Sequence, residues 1–179
     1  MRKVILSMMV STDNFIEGTN KELDSFQDDD EVLKYFEDLL DSVDAIMYGR
    51  RSYELMLDYW PKATGTIADK MNKKSKIVFS KTLASVSWNT RVIKDNIAEE
   101  ITAMKQELGK DLVLYAGAEI LSTFRKLNLV DEYRLVVYPV VLGNGTPLFK
   151  DVTNTIRLKL LNTRKFNSGV VLLTYQPMK

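Results

Sequence analysis

The chain has 179 residues, a length that suits one domain, and its 45% apolar and 27% charged residues supply material for a sizeable core. Lys and Arg number 25 against 24 Asp and Glu, so the net charge holds no general attraction for nucleic acid or an anionic membrane, and any anion site must be local. The absence of Cys and His excludes disulfides, thiolate nucleophiles, the usual zinc ligand sets and any imidazole acid or base, and it fits a reducing, cytoplasmic compartment.

Met1-Arg2-Lys3 precedes an apolar stretch too short for a membrane span and broken by Ser7, Ser11 and Asp13, so a strand is expected there rather than a signal peptide. Val4 to Val10 is nearly continuous and apolar, as in a central strand covered on both faces. Glu31 to Val43 places Val32, Leu33, Phe36, Leu39, Leu40 and Val43 at three- and four-residue spacings, which predicts an amphipathic helix. A short strand over Asp44 to Tyr48 runs through Gly49 into a helix from Arg50 to Tyr59, stopped near Pro61.

Strands are expected at Lys76 to Ser80 and Arg91 to Ile93, then a helix capped by Asn96, running to Leu108 and stopped by Gly109. Leu112 to Tyr115 enters Ala116-Gly117-Ala118 and a helix from Glu119 to Leu127, a second junction of strand, glycine and helix. Tyr133 to Leu142 predicts a long strand ended by the turn Gly143-Asn144-Gly145-Thr146-Pro147. Ile156, Leu158 and Leu160 alternate with Arg157 and Lys159, and Asn167-Ser168-Gly169 separates that strand from Val170 to Tyr175. The order predicts one α/β domain over 1–179, a three-layer α/β/α sandwich whose mixed sheet is mostly parallel and closes with an antiparallel C-terminal hairpin.

A helix that starts at the carboxyl end of a strand offers unpaired N–H groups and a partial positive charge, which suits a phosphate. Gly117 lacks a Cβ and lets a ligand approach the backbone at one such junction; at the other, Arg50, Arg51 and Ser52 oppose the helix dipole, which an anion would explain as well as solvation. Ser80-Lys81-Thr82 adds a hydroxyl and a cation at the same sheet edge, where open α/β sheets bind ligands. No G-x-G-x-x-G fingerprint is present, and Gly143-x-Gly145 followed by Pro147 reads as a turn.

Five blocks in this order and spacing resemble the dihydrofolate reductase superfamily, in its branch similar to the reductase domain of bifunctional riboflavin-biosynthesis deaminase-reductases. They are Val4 to Val10 with Ser11-Thr12-Asp13-Asn14-Phe15-Ile16, Ile46 to Glu54, Ile77 to Lys81, Leu114 to Ile120, and Val140 to Phe149. The resemblance implies a dihydrofolate reductase-like fold and NADPH as cofactor. Arg50, Arg51, Ser52, Ser80 and Lys81, with Gly49 at the junction, would hold the adenosine and its 2′-phosphate; Gly117, Ala118, Glu119 and Ile120 would hold the pyrophosphate. Met9 and Ile16 would flank the nicotinamide under a lid formed by Ser11 to Gly18. Ala116 stands where the family usually has the first of two adjacent glycines.

In dihydrofolate reductases an acid on the first helix contacts the pterin; here the matching position is Val32, with Glu31 one residue away. Asp13 matches the acid after the first strand of the riboflavin-type reductases, where it would orient a polar heterocycle; a turn-closing Asx cap is the competing role. The resemblance thus implies an NADPH-dependent reductase of a planar nitrogen heterocycle, foremost 5-amino-6-(5-phosphoribosylamino)uracil of riboflavin biosynthesis, with Asp13 or Glu31 as the acid and no metal. A dihydrofolate or pteridine reductase, a broad-specificity stress reductase, and a non-catalytic nucleotide-binding dimer are the alternatives. A small-molecule substrate is expected, without nucleic acid or membrane, in a homodimer paired through the late strands.

Overall fold

The computed structural model describes residues 1–178. Its centre is an eight-stranded sheet in the order β5-β4-β3-β6-β1-β7-β10-β9. The apolar run at the start of the chain forms β1 (Val4–Ser11), which pairs in parallel with β6 (Asp111–Leu114) on one side and β7 (Glu132–Tyr138) on the other. Outward from β6 lie β3 (Val43–Gly49), β4 (Ser75–Phe79) and β5 (Thr90–Ile93), all parallel. The hairpin of β9 (Leu158–Lys165) and β10 (Val171–Pro177) closes the other side, with β10 antiparallel to both β7 and β9. The expected mostly parallel sheet with an antiparallel end is therefore present.

Two apolar clusters cover the two faces. On one, Val32, Tyr35, Leu39 and Leu40 of α1 (Asp30–Ser42), Tyr53 of α2 (Arg50–Tyr59) and Met71 of α3 (Thr66–Lys73) pack over Ile46, Tyr48, Val113 and Val136. On the other, Ile101 and Met104 of α4 (Ile97–Gln106) and Leu121 and Phe124 of α5 (Ala118–Lys126) pack over Val4, Leu6, Met47 and Leu114. Alternating residues of the central strands feed opposite clusters, as burial on both sides requires. Among the described residues no helix is long and apolar enough to cross a membrane.

Several expectations are corrected. The strand predicted over Tyr133 to Leu142 stops at Tyr138, because Pro139 follows and Val140 N turns back onto Tyr138 O at 2.8 Å. Asn96 precedes α4 in the left-handed conformation and makes no side-chain cap bond, and α4 ends at Gln106, before Gly109. The strand expected from Ile156 begins at Leu158, and its alternation buries no face: as the sheet edge, β9 is exposed from Lys159 to Lys165, Leu160 and Leu161 included, and its register with β10 shifts between Thr174 and Tyr175. Four elements lie outside the expectations: a 3-10 turn at Trp60–Lys62, α3, and the pair β2 (Phe15–Glu17) and β8 (Thr146–Pro147), which form a separate two-stranded ribbon.

Candidate active site

Strand order places β3 and β6 side by side, and each feeds a helix at its carboxyl end. Gly49 precedes α2 and Gly117 precedes α5, and neither helix receives a side-chain cap, so both first turns leave backbone donors open. The two starts adjoin. A Cβ built on Gly117 would lie 3.4 Å from Ser52 Oγ, and one built on Gly49 would meet Ile120 at 3.1 Å. Gly49, Ser52, Gly117 and Ile120 are thus brought together, with Ala118 and Glu119 in the same turn of α5. Ala116 is 2% exposed and belongs to the core, so its methyl points into packing.

The two arginines diverge. Arg50 donates from Nε to Glu54 Oε1 at 2.8 Å and from NH1 to Thr82 Oγ1 at 2.8 Å, turning towards the end of β4. There Ser80 Oγ accepts from Thr82 N and Leu83 N, closing a turn, and Lys81 Nζ pairs with Asp95 at 3.1 Å. Arg51 turns the other way and donates from NH2 to Glu17 Oε1 of β2 at 3.1 Å. The same carboxylate oxygen accepts from Thr146 Oγ1 of β8 at 2.7 Å.

The acids expected to act on substrate are held by protein donors. Asp13 Oδ1 accepts from Ser11 Oγ at 2.6 Å and from Leu142 N at 3.1 Å, and Oδ2 accepts from Gly143 N at 2.7 Å. The Ser11 hydrogen bond, with the backbone donors adding, holds this carboxyl below the usual range against its desolvation. Asp13 thereby ties the loop after β1 to the loop after β7. Glu31 accepts from Asn167 N at 2.9 Å and Asp29 from Ser168 N at 2.9 Å, so both fasten the start of α1 to the final hairpin turn. Val32 is fully buried in the core. Met9 packs against the α1-side cluster, whereas Ile16 of β2 is buried with the opposite one.

A further pair at this end was missed by the sequence. Tyr138, adjacent to Ser11 in the register of β1 and β7, donates its phenol hydrogen to Asp28 Oδ1. Desolvation raises the Asp28 carboxyl, opposed by the Tyr138 hydrogen bond. Glu17 has no signal of its own in the sequence, and Thr82 and Thr146 stand out there only as parts of the Ser80-Lys81-Thr82 segment and the 143–147 turn, without the contacts they make here. Tyr48 and Tyr115, with rings 6.2 Å apart, stand at the ends of β3 and β6, and burial raises both phenols.

Comparison with known proteins follows the same lines. A family model described as the RibD C-terminal domain matches residues 2–172. The uncharacterized protein YyaP of Bacillus subtilis (strain 168) is 44% identical over 179 residues, covering 97% of this chain and 94% of the relative. Among solved structures, a protein from Shewanella sp. PV-4 named for riboflavin biosynthesis superposes with a TM-score of 0.83 at 20% identity, covering both chains entirely. Dihydrofolate reductase from Enterococcus faecalis, solved with NADP(H), superposes with a TM-score of 0.69 at 13% identity over 99% of this chain and 97% of that one.

Proposed function

This chain belongs to the RibD C-terminal domain family, and from that premise we propose that it is an NADPH-dependent reductase that delivers hydride to a C=N carbon of a nitrogen-heterocyclic substrate, foremost the ring-opened imine of a ribosylaminopyrimidine, whose nitrogen takes a proton from solvent. The observation that carries the proposal is the convergence of two uncapped helix starts, at Gly49 and Gly117, with Ser52 between them. Their open donors and partial positive charge suit a pyrophosphate. Arg50, Ser80, Lys81 and Thr82 lie together on the β4 side, where they suit the 2′-phosphate that distinguishes NADPH from NADH. When bound, the reduced nicotinamide supplies the hydride. The residues of this chain bind, orient and exclude water, which requires neither a nucleophile nor an imidazole.

Asp13 shapes the substrate end by holding Leu142 and Gly143 in place. The similarity to a dihydrofolate reductase solved with NADP(H) supports the cofactor, and dependence on a reduced dinucleotide fits a cytoplasmic role. The test is NADPH oxidation against a panel containing phosphorylated and dephosphorylated ribosylaminopyrimidines, dihydropteridines and dihydrofolate. Turnover is expected with the ribosylaminopyrimidines; turnover confined to the pteridines would transfer the assignment to that class.

A further inference from the structure

We propose that Arg51 and Glu17 form a bridge through which the phosphates of a bound dinucleotide order the lid made by β2 and β8. The inference rests on the pyridine-nucleotide reading above. Arg51 stands in the first turn of α2 with its side chain 61% exposed, and it spends only NH2, at 3.1 Å, on Glu17. Among the described residues its Nε and NH1 make no hydrogen bond, so one edge of the planar fork is open to a phosphate oxygen.

Glu17 is the fixed member of the pair. Its side chain is only 14% exposed and also accepts from Thr146 Oγ1. Glu17 pairs with Thr146 across the β2–β8 ribbon. Gly145, at φ +149, lets the chain pass so close that a Cβ there would sit 2.1 Å from Glu17 O. Leu148 N bonds Asn14 O at 3.0 Å, and Asp13 holds Leu142 N and Gly143 N, so the two loops are tied into one unit. Among the described residues, the ion pair that joins this unit to α2 is Arg51 with Glu17.

An exposed ion pair contributes little alone, because ordering a long arginine side chain offsets the attraction. A phosphate on the free edge of Arg51 supplies that ordering, and the bond to Glu17 then forms at no further entropic cost. Occupancy of the phosphate site and order of the lid are thereby coupled, and the coupling must be reciprocal. Glu17 is a positioning residue in this scheme, acting through Arg51.

The experiment is hydrogen exchange read by mass spectrometry on the full chain with and without NADP+, for wild type, Glu17→Ala, Arg51→Met and the double variant. Glu17 is mostly buried in β2, so Arg51→Met, on an exposed helix face, keeps the test open should Glu17→Ala fold poorly. In wild type NADP+ is expected to slow exchange in residues 14–17 and 145–148 as well as in the first turns of α2 and α5. Either single variant should lose the lid protection while keeping that of the helix starts, and the double variant should lose no more than one single. Affinity for NADP+ should fall about two- to tenfold in Glu17→Ala. Equal lid protection in Glu17→Ala, or a wild-type lid that ignores bound NADP+, would overturn the bridge alone. Absence of NADP+ binding to wild type would remove the cofactor reading and the bridge together.

Discussion

Ser52 Oγ stands 3.4 Å from the point at which a side chain on Gly117 would begin, so the starts of α2 and α5 face each other across a gap that one methyl group can still enter. Gly117 has φ −76, which any residue adopts. Gly117→Ala should therefore fold normally, yet place a methyl where a phosphate approaches the backbone. Its thermal midpoint should match wild type, while affinity for NADPH falls roughly tenfold, about 1.4 kcal/mol. Gly49→Ala is the contrast, because its Cβ would press on Ile120 at 3.1 and 3.2 Å and should lower stability by about 1 kcal/mol. Unchanged NADPH affinity in Gly117→Ala by fluorescence titration would remove the phosphate from this junction.

Preference for NADPH over NADH should follow Arg50 rather than Arg51. Arg50 already reaches Thr82 beside Ser80 and Lys81, whereas Arg51 is directed to the lid. A charge-assisted contact to the 2′-phosphate contributes roughly 1.5–3 kcal/mol. Arg50→Met should lose most of the preference in paired titrations with the two reduced dinucleotides, and Arg51→Met should weaken both alike. The reverse pattern would exchange their roles.

Asp13 carries a prediction about the loop after β7. Asn at this position has one accepting oxygen and an amide that cannot accept from a backbone N–H, so Leu142 or Gly143 loses its partner. Asp13→Asn should accelerate exchange at those amides and lower kcat/KM by about ten- to a hundredfold, roughly 1.4–2.7 kcal/mol, with NADPH affinity kept. Because the folded carboxyl titrates below its ordinary value, the clamp is complete above that value and is released as pH falls through the depressed one. Wild-type exchange and turnover in the variant would leave Asp13 without a role at this end.

Lys76 supplies a pH signature of the fold. It is 1% exposed, donates to Asn72 O at 3.0 Å and lies 4.0 Å from the centre of the Trp88 ring; burial pushes it down to about 8. Below about pH 8 the folded and unfolded chains both hold this proton. Between about 8 and the ordinary value of 10.5 the unfolded chain holds more of it, so stability rises with pH in that window. The gain between pH 8 and 9.5 should be on the order of 1–2 kcal/mol by urea denaturation. Lys76→Met should abolish this rise, and an identical slope in the variant would assign it to other groups.

Pairing of two copies is expected along β9. This edge strand is exposed over most of its length, and Leu160 and Leu161 are 50% and 44% exposed beside its unpaired backbone. A long open edge with apolar side chains invites a partner strand. Light scattering at micromolar concentration should give a dimer for wild type and a monomer for Leu161→Glu. A monomeric wild type would reject it.

The parts of the fold legible in the sequence were those with a strong physical period. Val4–Ser11 and Val43–Gly49 are apolar runs, and the α1 stripe from Val32 to Leu40 repeats with the helix. The ribbon of β2 and β8 was invisible because three residues against two carry no period, and α3 buries only Ala68 and Met71. The junctions at Gly49 and Gly117 were legible as turns, but their adjacency comes from the placing of β6 between β3 and β1. The divergence of Arg50 and Arg51 was hidden because neighbours on a helix point about 100° apart, so consecutive cations serve different sides. Asp28 escaped notice because its partner, Tyr138, is 110 residues distant.

The most direct measurement is hydride transfer itself. NADPH carrying deuterium at the transferring position of the nicotinamide should be incubated with the protein and a phosphorylated ribosylaminopyrimidine, and the product examined by mass spectrometry. One deuterium is expected in the reduced product for each NADPH oxidised, with NADH giving slower transfer at equal concentration. Failure of NADPH to bind, or its binding without transfer to any heterocycle of the panel, would contradict the assignment of this chain as an NADPH-dependent reductase.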